Sequence, residues 1–183
     1  MKKTLILSAI ICSITSIANA AEAPTPAKGD FSSADIQWIG HAKIIPGNDI
    51  TITGENGALE PNDGALTVSA NGTFKTTTPV KLESRLYFDI NDDGAKEAGD
   101  LFATNWTLDA AKPMTVTWGT NVVDGMDIKV DDLLSGANLT ETTGPEGAER
   151  VSLTVTNDSP TSVPALDPRA ELSVQATVLA TVA

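Results

Sequence analysis

Residues 89–100, Asp-Ile-Asn-Asp-Asp-Gly-Ala-Lys-Glu-Ala-Gly-Asp, have the types and spacing for one kind of chemistry: the binding of a hard cation. Asp89, Asn91 and Asp93 stand at positions 1, 3 and 5 of a twelve-residue loop, Gly94 at 6, Glu97 at 9 and Asp100 at 12. Calcium takes about six to eight oxygen ligands, and alternating carboxylates around a glycine turn supply them. Ca2+ is therefore a candidate cofactor, with Asp89, Asn91, Asp93, Glu97 and Asp100 as its ligands. An aspartate stands where a bidentate glutamate usually closes such a loop, and the segment before it alternates like a strand. The same residues also read as an acidic hairpin loop in which Asp92-Asp93-Gly94 makes the turn.

Catalytic constellations are not apparent. His41 is the only histidine, so neither a partnered base nor a zinc cluster is marked. Pairs such as Glu55 and Glu60 suit glycoside hydrolysis by type, but a chain with 24 acidic residues supplies such pairs by chance. The chain is read as a non-enzyme. Trp38, Trp106 and Trp118 lie on apolar alternating runs and read as core rather than as a sugar platform.

The elements that position these residues are strands. Residues 36–44, Ile-Gln-Trp-Ile-Gly-His-Ala-Lys-Ile, place Ile36, Trp38, Gly40, Ala42 and Ile44 at a period of two, on one face of an extended strand about 30 Å long. Residues 172–182 alternate in the same way through Leu172, Val174, Ala176, Val178, Ala180 and Val182. Between them lie short alternating runs at 50–52, 65–69, 80–88, 101–108, 114–118, 128–130 and 151–155, separated by turn signals such as Pro46-Gly47-Asn48 and Asn71-Gly72. No segment holds a 3.6-residue period over three turns. The pattern predicts an all-β chain of the sandwich class.

Residues 1–20 read as a secretory signal peptide, with Lys2 and Lys3 ahead of an apolar run and Ala18-Asn-Ala20 as the cleavage site. The run is too short to cross a membrane. Cys12, the single cysteine, lies within it, so the exported chain relies on its core rather than on disulfides. Without Lys2 and Lys3 the 12 basic residues fall to 10 against 24 acids, a net charge of −14. That argues against nucleic acid and anionic lipid as partners, because phosphate recognition needs basic patches. Residues 21–35 read as a flexible leader, 36–45 as an N-terminal strand, and 46–183 as the body of one domain.

The order Ile36-x-Trp38-x-Gly40-x-Ala42, with Gly57-Ala-Leu-Glu-Pro61 and Met114-Thr-Val-Thr-Trp-Gly-Thr-Asn-Val122, resembles the chaperone–usher fimbrial major subunits (pilins), and among them the class 5 colonisation-factor pilins. The resemblance implies an immunoglobulin-like β-sandwich that is incomplete and is completed by donor-strand exchange. It makes Ile36, Trp38, Gly40, Ala42 and Ile44 the donor strand that fills a groove beside the C-terminal strand of the next subunit. The implied role is that of a structural subunit of a surface fimbrium (pilus) supporting cell adhesion. The implied partners are its own copies in a homopolymer, a periplasmic chaperone, an outer-membrane usher, a tip adhesin and a host-cell receptor. The implied path runs through the periplasm to the cell surface. The leader ahead of residue 36 is longer than in class 5 subunits. The rival expectation, from another class, is a secreted calcium-binding module with a complete sandwich. The two differ in whether residues 36–44 pair within their own chain or with another.

Overall fold

A computed structural model describes residues 22–38, 43–69, 71–160 and 170–183. In chain order the strands are β1 (Phe31–Trp38), β2 (Lys43–Ile45), β3 (Ile50–Thr53), β4 (Ala65–Val68) and β5 (Phe74–Thr78). Next come β6 (Val80–Phe88), β7 (Glu97–Leu101), β8 (Asn105–Leu108), β9 (Thr115–Trp118) and β10 (Asn121–Val122). The last are β11 (Ile128–Asp132), β12 (Asn138–Leu139), β13 (Arg150–Asn157) and β14 (Leu172–Thr181). Among the described residues the only helical element is a 3-10 turn at Glu55–Gly57. The chain is all-β.

The strands form two antiparallel sheets. One has six strands, ordered β10-β9-β14-β1-β2, with β8 also paired to β14. The other has eight, with β13 and β6 at its centre: β13 joins β11, β5 and β6, and β6 joins β3 and β7. Their facing sides share one core. The six-stranded sheet contributes Ala34, Trp38, Trp106, Val116 and the inward face of β14; the other contributes Ile52, Phe74, Val80, Leu82, Val130, Val151, Leu153 and Val155. The β14 alternation sets this side of the core. Leu172, Val174, Ala176, Val178 and Ala180 are all buried, and each large apolar side chain removed from water contributes about 1.5–3 kcal/mol.

Two fully buried tryptophans each lie against a glycine, Trp38 through its indole and Trp106 through its backbone. A Cβ on Gly64 would stand 2.3 Å from Trp38 Cδ1, and one on Gly144 would stand 2.0 Å from the Trp106 carbonyl oxygen. Both are positions where only a hydrogen fits. Trp106 Nε1 donates to the Ala148 carbonyl at 2.8 Å, while Trp38 Nε1 has no acceptor among the described residues.

The N-terminal strand differs from the sequence expectation in place and in shape. It begins at Phe31, five residues ahead of Ile36, inside the stretch expected to be a patternless leader. Phe31 to Asp35 carry no long apolar alternation, yet backbone pairing to β14 orders them regardless of side-chain type, and the small Ser32, Ser33 and Ala34 fit buried positions. The strand stops at Trp38, and β2 runs back against it with Ser33 opposite Ile45, Ala34 opposite Ile44 and Asp35 opposite Lys43. Residues 36–44 are therefore not one straight strand: Trp38 and Ile44 sit on strands of opposite direction. Gly40, Ala42 and the only histidine, His41, lie outside the described residues.

Candidate functional site

β14, the longest of the described strands, is paired by three others. On one edge β14 is paired by β8 (Val178 to Leu108, Thr181 to Asn105) and by β9 (Leu172 to Trp118, Gln175 to Thr115). On the other edge β1 covers it over eight residues, from Phe31 opposite Thr181 to Trp38 opposite Val174. Removal of β1 would bare that edge of β14 and open the core where Ala34 and the Trp38 indole sit. An exposed strand edge beside an apolar cavity is a template for another strand.

The start of β1 is tied down by polar contacts. Gly29 N–H donates to the Val182 carbonyl at 3.2 Å, and Val182 N–H to the Asp30 carbonyl at 2.9 Å. The Asp30 carboxylate accepts the N–H groups of Asn48, Asp49 and Ile50 at 3.0, 2.8 and 3.1 Å, which closes the turn after β2. The buried Ser32 hydroxyl donates to the Ile45 carbonyl at 3.1 Å and accepts from Ile52 N–H at 3.0 Å. Ser32 thus stitches the two sheets together through β3.

The acidic residues 89–100 fold as the turn of the β6–β7 hairpin, with Phe88 opposite Glu97. Both Asp89 oxygens are engaged by backbone, accepting Asp93 N–H at 3.1 Å and Gly94 N–H at 2.6 Å. Partial desolvation raises the Asp89 pKa, but the surrounding N–H groups of Gly94, Asp93, Asp92 and Asn91 outweigh it and hold the carboxyl below its ordinary value. Asp92 and Gly94 take positive φ, 57° and 86°, which makes the tight reversal. Glu97 accepts Asn91 Nδ2 at 3.1 Å, and Asp93 caps Ala95 N–H at 2.9 Å. Glu97 and Asp100 belong to β7, and Asp100 stands three residues along that strand from the turn. No group of three or more acidic, histidine or cysteine side chains is gathered for a metal among the described residues.

A third cluster was not evident from the sequence. On the outer face of the β6–β13 pair, Glu83 lies opposite Arg150 and Lys81 opposite Ser152. Glu83 is 2% exposed. Its Oε2 accepts Arg85 Nη2 at 2.6 Å, Arg85 Nε at 3.0 Å and Gly57 N–H at 3.0 Å. Its Oε1 accepts Arg150 Nε at 3.0 Å. Desolvation pushes this carboxyl up, yet the Arg85 and Arg150 guanidinium groups and the Asn56 and Gly57 N–H groups outweigh it and hold the pKa down at about 2. The one available signal was the i, i+2 spacing of Lys81, Glu83 and Arg85, which places all three on one strand face.

Comparison with other proteins finds no matching family model, no matching curated protein and no matching solved structure. The functional reading rests on the residues themselves. Among the described residues no helix is long and apolar enough to cross a membrane.

Proposed function

We propose that this chain is a structural subunit of an exported surface fibre, an immunoglobulin-like sandwich of the fimbrial type, joined to its copies by exchange of β1. The observation that carries the proposal is the β1–β14 pairing. A strand near the N-terminus covers one long edge of the C-terminal strand and plugs the core with a fully buried tryptophan. The same contacts form whether β1 comes from its own chain or from a neighbour. Intramolecular closure is favoured by an effective concentration in the mM range for a short connection, worth about 4 kcal/mol against neighbouring subunits at about 1 μM. Polymerisation therefore needs something that holds the β14 groove open until a second β1 arrives. This is the physical role for a periplasmic chaperone, with an outer-membrane usher as the place of exchange. In the polymer the gain repeats at every subunit without a disulfide.

A second reading is a self-contained exported module with a closed sandwich, whose loop at 89–100 takes calcium. The observation that favours closure is that β1 lies in the groove of its own chain, anchored by Asp30. The two are separated by the exported protein itself. On gels without boiling, the fibre reading predicts a ladder of multimers that collapses to one band on heating. A single monomer band from surface-extracted protein at every concentration would favour the closed module.

A further inference from the structure

The cluster on the outer face of β6 and β13 borders a cleft of about 280 Å3. Its floor is the cross-strand rows Glu83–Arg150 and Lys81–Ser152. One wall is the turn at Glu55–Gly57; the other is Leu134, which is 65% exposed at the turn after β11. We propose that this cleft binds a single acidic sugar residue of the uronic-acid class, its carboxylate on Arg150 and its ring against Leu134.

The argument begins with Arg150. Only its Nε is bound, to Glu83 Oε1, so the Nη edge has no partner among the described residues. Its side chain is 51% exposed. A guanidinium fixed by a buried carboxylate and open on its outer edge is preorganised for a second carboxylate, because the planar fork matches two oxygens at once. Charge balance permits this on an otherwise acidic chain. The cleft lining holds two cations, Lys81 and Arg150, against Glu55 and Glu83, and Arg85 stands beside Glu83 outside it. Asp132, behind Ser152, is already saturated by the N–H groups of Leu134, Ser135 and Ser152 and by the Ser135 hydroxyl.

The remaining lining suits hydroxyls rather than a bare carboxylate. The Ser152 hydroxyl and the Asn56 amide line the cleft and have no partners among the described residues. The Glu55–Lys81 pair, 2.9 Å apart and about half exposed on both sides, offers an acceptor and a donor side by side. The exposed Leu134 gives the apolar C–H face of a sugar ring a surface to lie on. The volume falls just under the range of about 300–1,000 Å3 typical of drug-sized ligand sites, which suits one ring.

The test is titration calorimetry on the exported chain with D-glucuronate, D-glucose and acetate, at matched ionic strength. The expected result is weak saturable binding of glucuronate, with glucose and acetate at least tenfold weaker. Arg150→Gln should weaken glucuronate at least tenfold. Because Arg150 also holds Glu83, Ser152→Ala and Leu134→Ser serve as variants that leave that pair intact, and each should weaken glucuronate severalfold with the melting temperature unchanged. Absence of any glucuronate response overturns the proposal. So does acetate binding as well as glucuronate, or glucuronate binding that none of the three variants changes. The proposal does not depend on fibre assembly, since the β1–β14 groove lies in the other sheet.

Discussion

Replacing Glu83 by glutamine tests how much one buried carboxylate contributes to this fold. A carboxyl lowered from 4.5 to about 2 corresponds to about 3 kcal/mol of stabilisation of the charged form. The folded pKa is depressed, so this stability is present above pH 4.5 and is lost as pH falls toward 2. By linkage about 2 kcal/mol of it is gone at pH 3 and about 3 kcal/mol at pH 2. Glu83→Gln at pH 7 leaves Arg85 and Arg150 without their counter-ion and should cost on the order of 3 kcal/mol. That is the low end for breaking a buried pair, because Arg150 is half exposed and can find water. The assay is urea unfolding of wild type and variant between pH 7 and pH 3. The other carboxyls titrate equally in both proteins, so the wild type should lose about 2 kcal/mol more than Glu83→Gln over that range. Parallel stability curves, or a Glu83→Gln loss under about 1 kcal/mol at pH 7, would refute the assignment of Glu83 as a charged buried anchor.

Other substitutions probe the core and the turn. Gly64→Ala drives a Cβ into the Trp38 indole and should destabilise by about 1–3 kcal/mol in chemical denaturation. Ser32→Ala leaves the buried Ile52 N–H without its acceptor and should cost about 1–3 kcal/mol. Trp38→Ala empties a fully buried site and should cost about 3–5 kcal/mol in the isolated subunit, measured by the urea midpoint. For the loop at 89–100, a calcium site predicts a melting temperature that rises from chelator to millimolar Ca2+, since a ligand of the folded state alone raises stability. An unchanged melting temperature would leave only an acidic turn.

The strands that were legible in the sequence are those whose side chains alternate against the core. β14 and β13 bury their predicted faces, and β6 does so through Val80, Leu82 and Ser84. β5 was not legible, because in Phe74-Lys-Thr-Thr-Thr only Phe74 is apolar and its pairing comes from Val68 and Asn157 across the sheet. β1 was legible at Trp38 but not at Phe31 to Asp35, where order comes from the backbone edge of β14 and from small residues that leave no hydrophobic signature. The same blindness affects the donor run. Its period of two continues through Gly40 and Ala42, and sequence periodicity carries no sign of the antiparallel return that places Lys43 opposite Asp35. Trp38, read from its alternating run as core and given by the resemblance to a neighbour's groove, is fully buried in its own chain. The calcium pattern was legible as spacing; what spacing did not show is that the Asp89 carboxylate accepts the backbone N–H groups of its own turn and that Asp100 stands on β7. Glu83 reads as one more surface acid until the distant Arg150 is brought across from β13.

The exchange of β1 is tested most directly by a disulfide trap across its pairing with β14. Ser33 and Leu179 are directly opposed, on the side of the two strands away from Ala34 and Val178, and residues 21–183 contain no cysteine. One population carries Ser33→Cys and the other Leu179→Cys; they are co-expressed, exported and oxidised. The fibre account predicts a 33–179 disulfide between different chains, and covalent ladders when both cysteines are placed in one chain. Uncrosslinked monomers in the mixture, with the double variant closing only on itself, would contradict it.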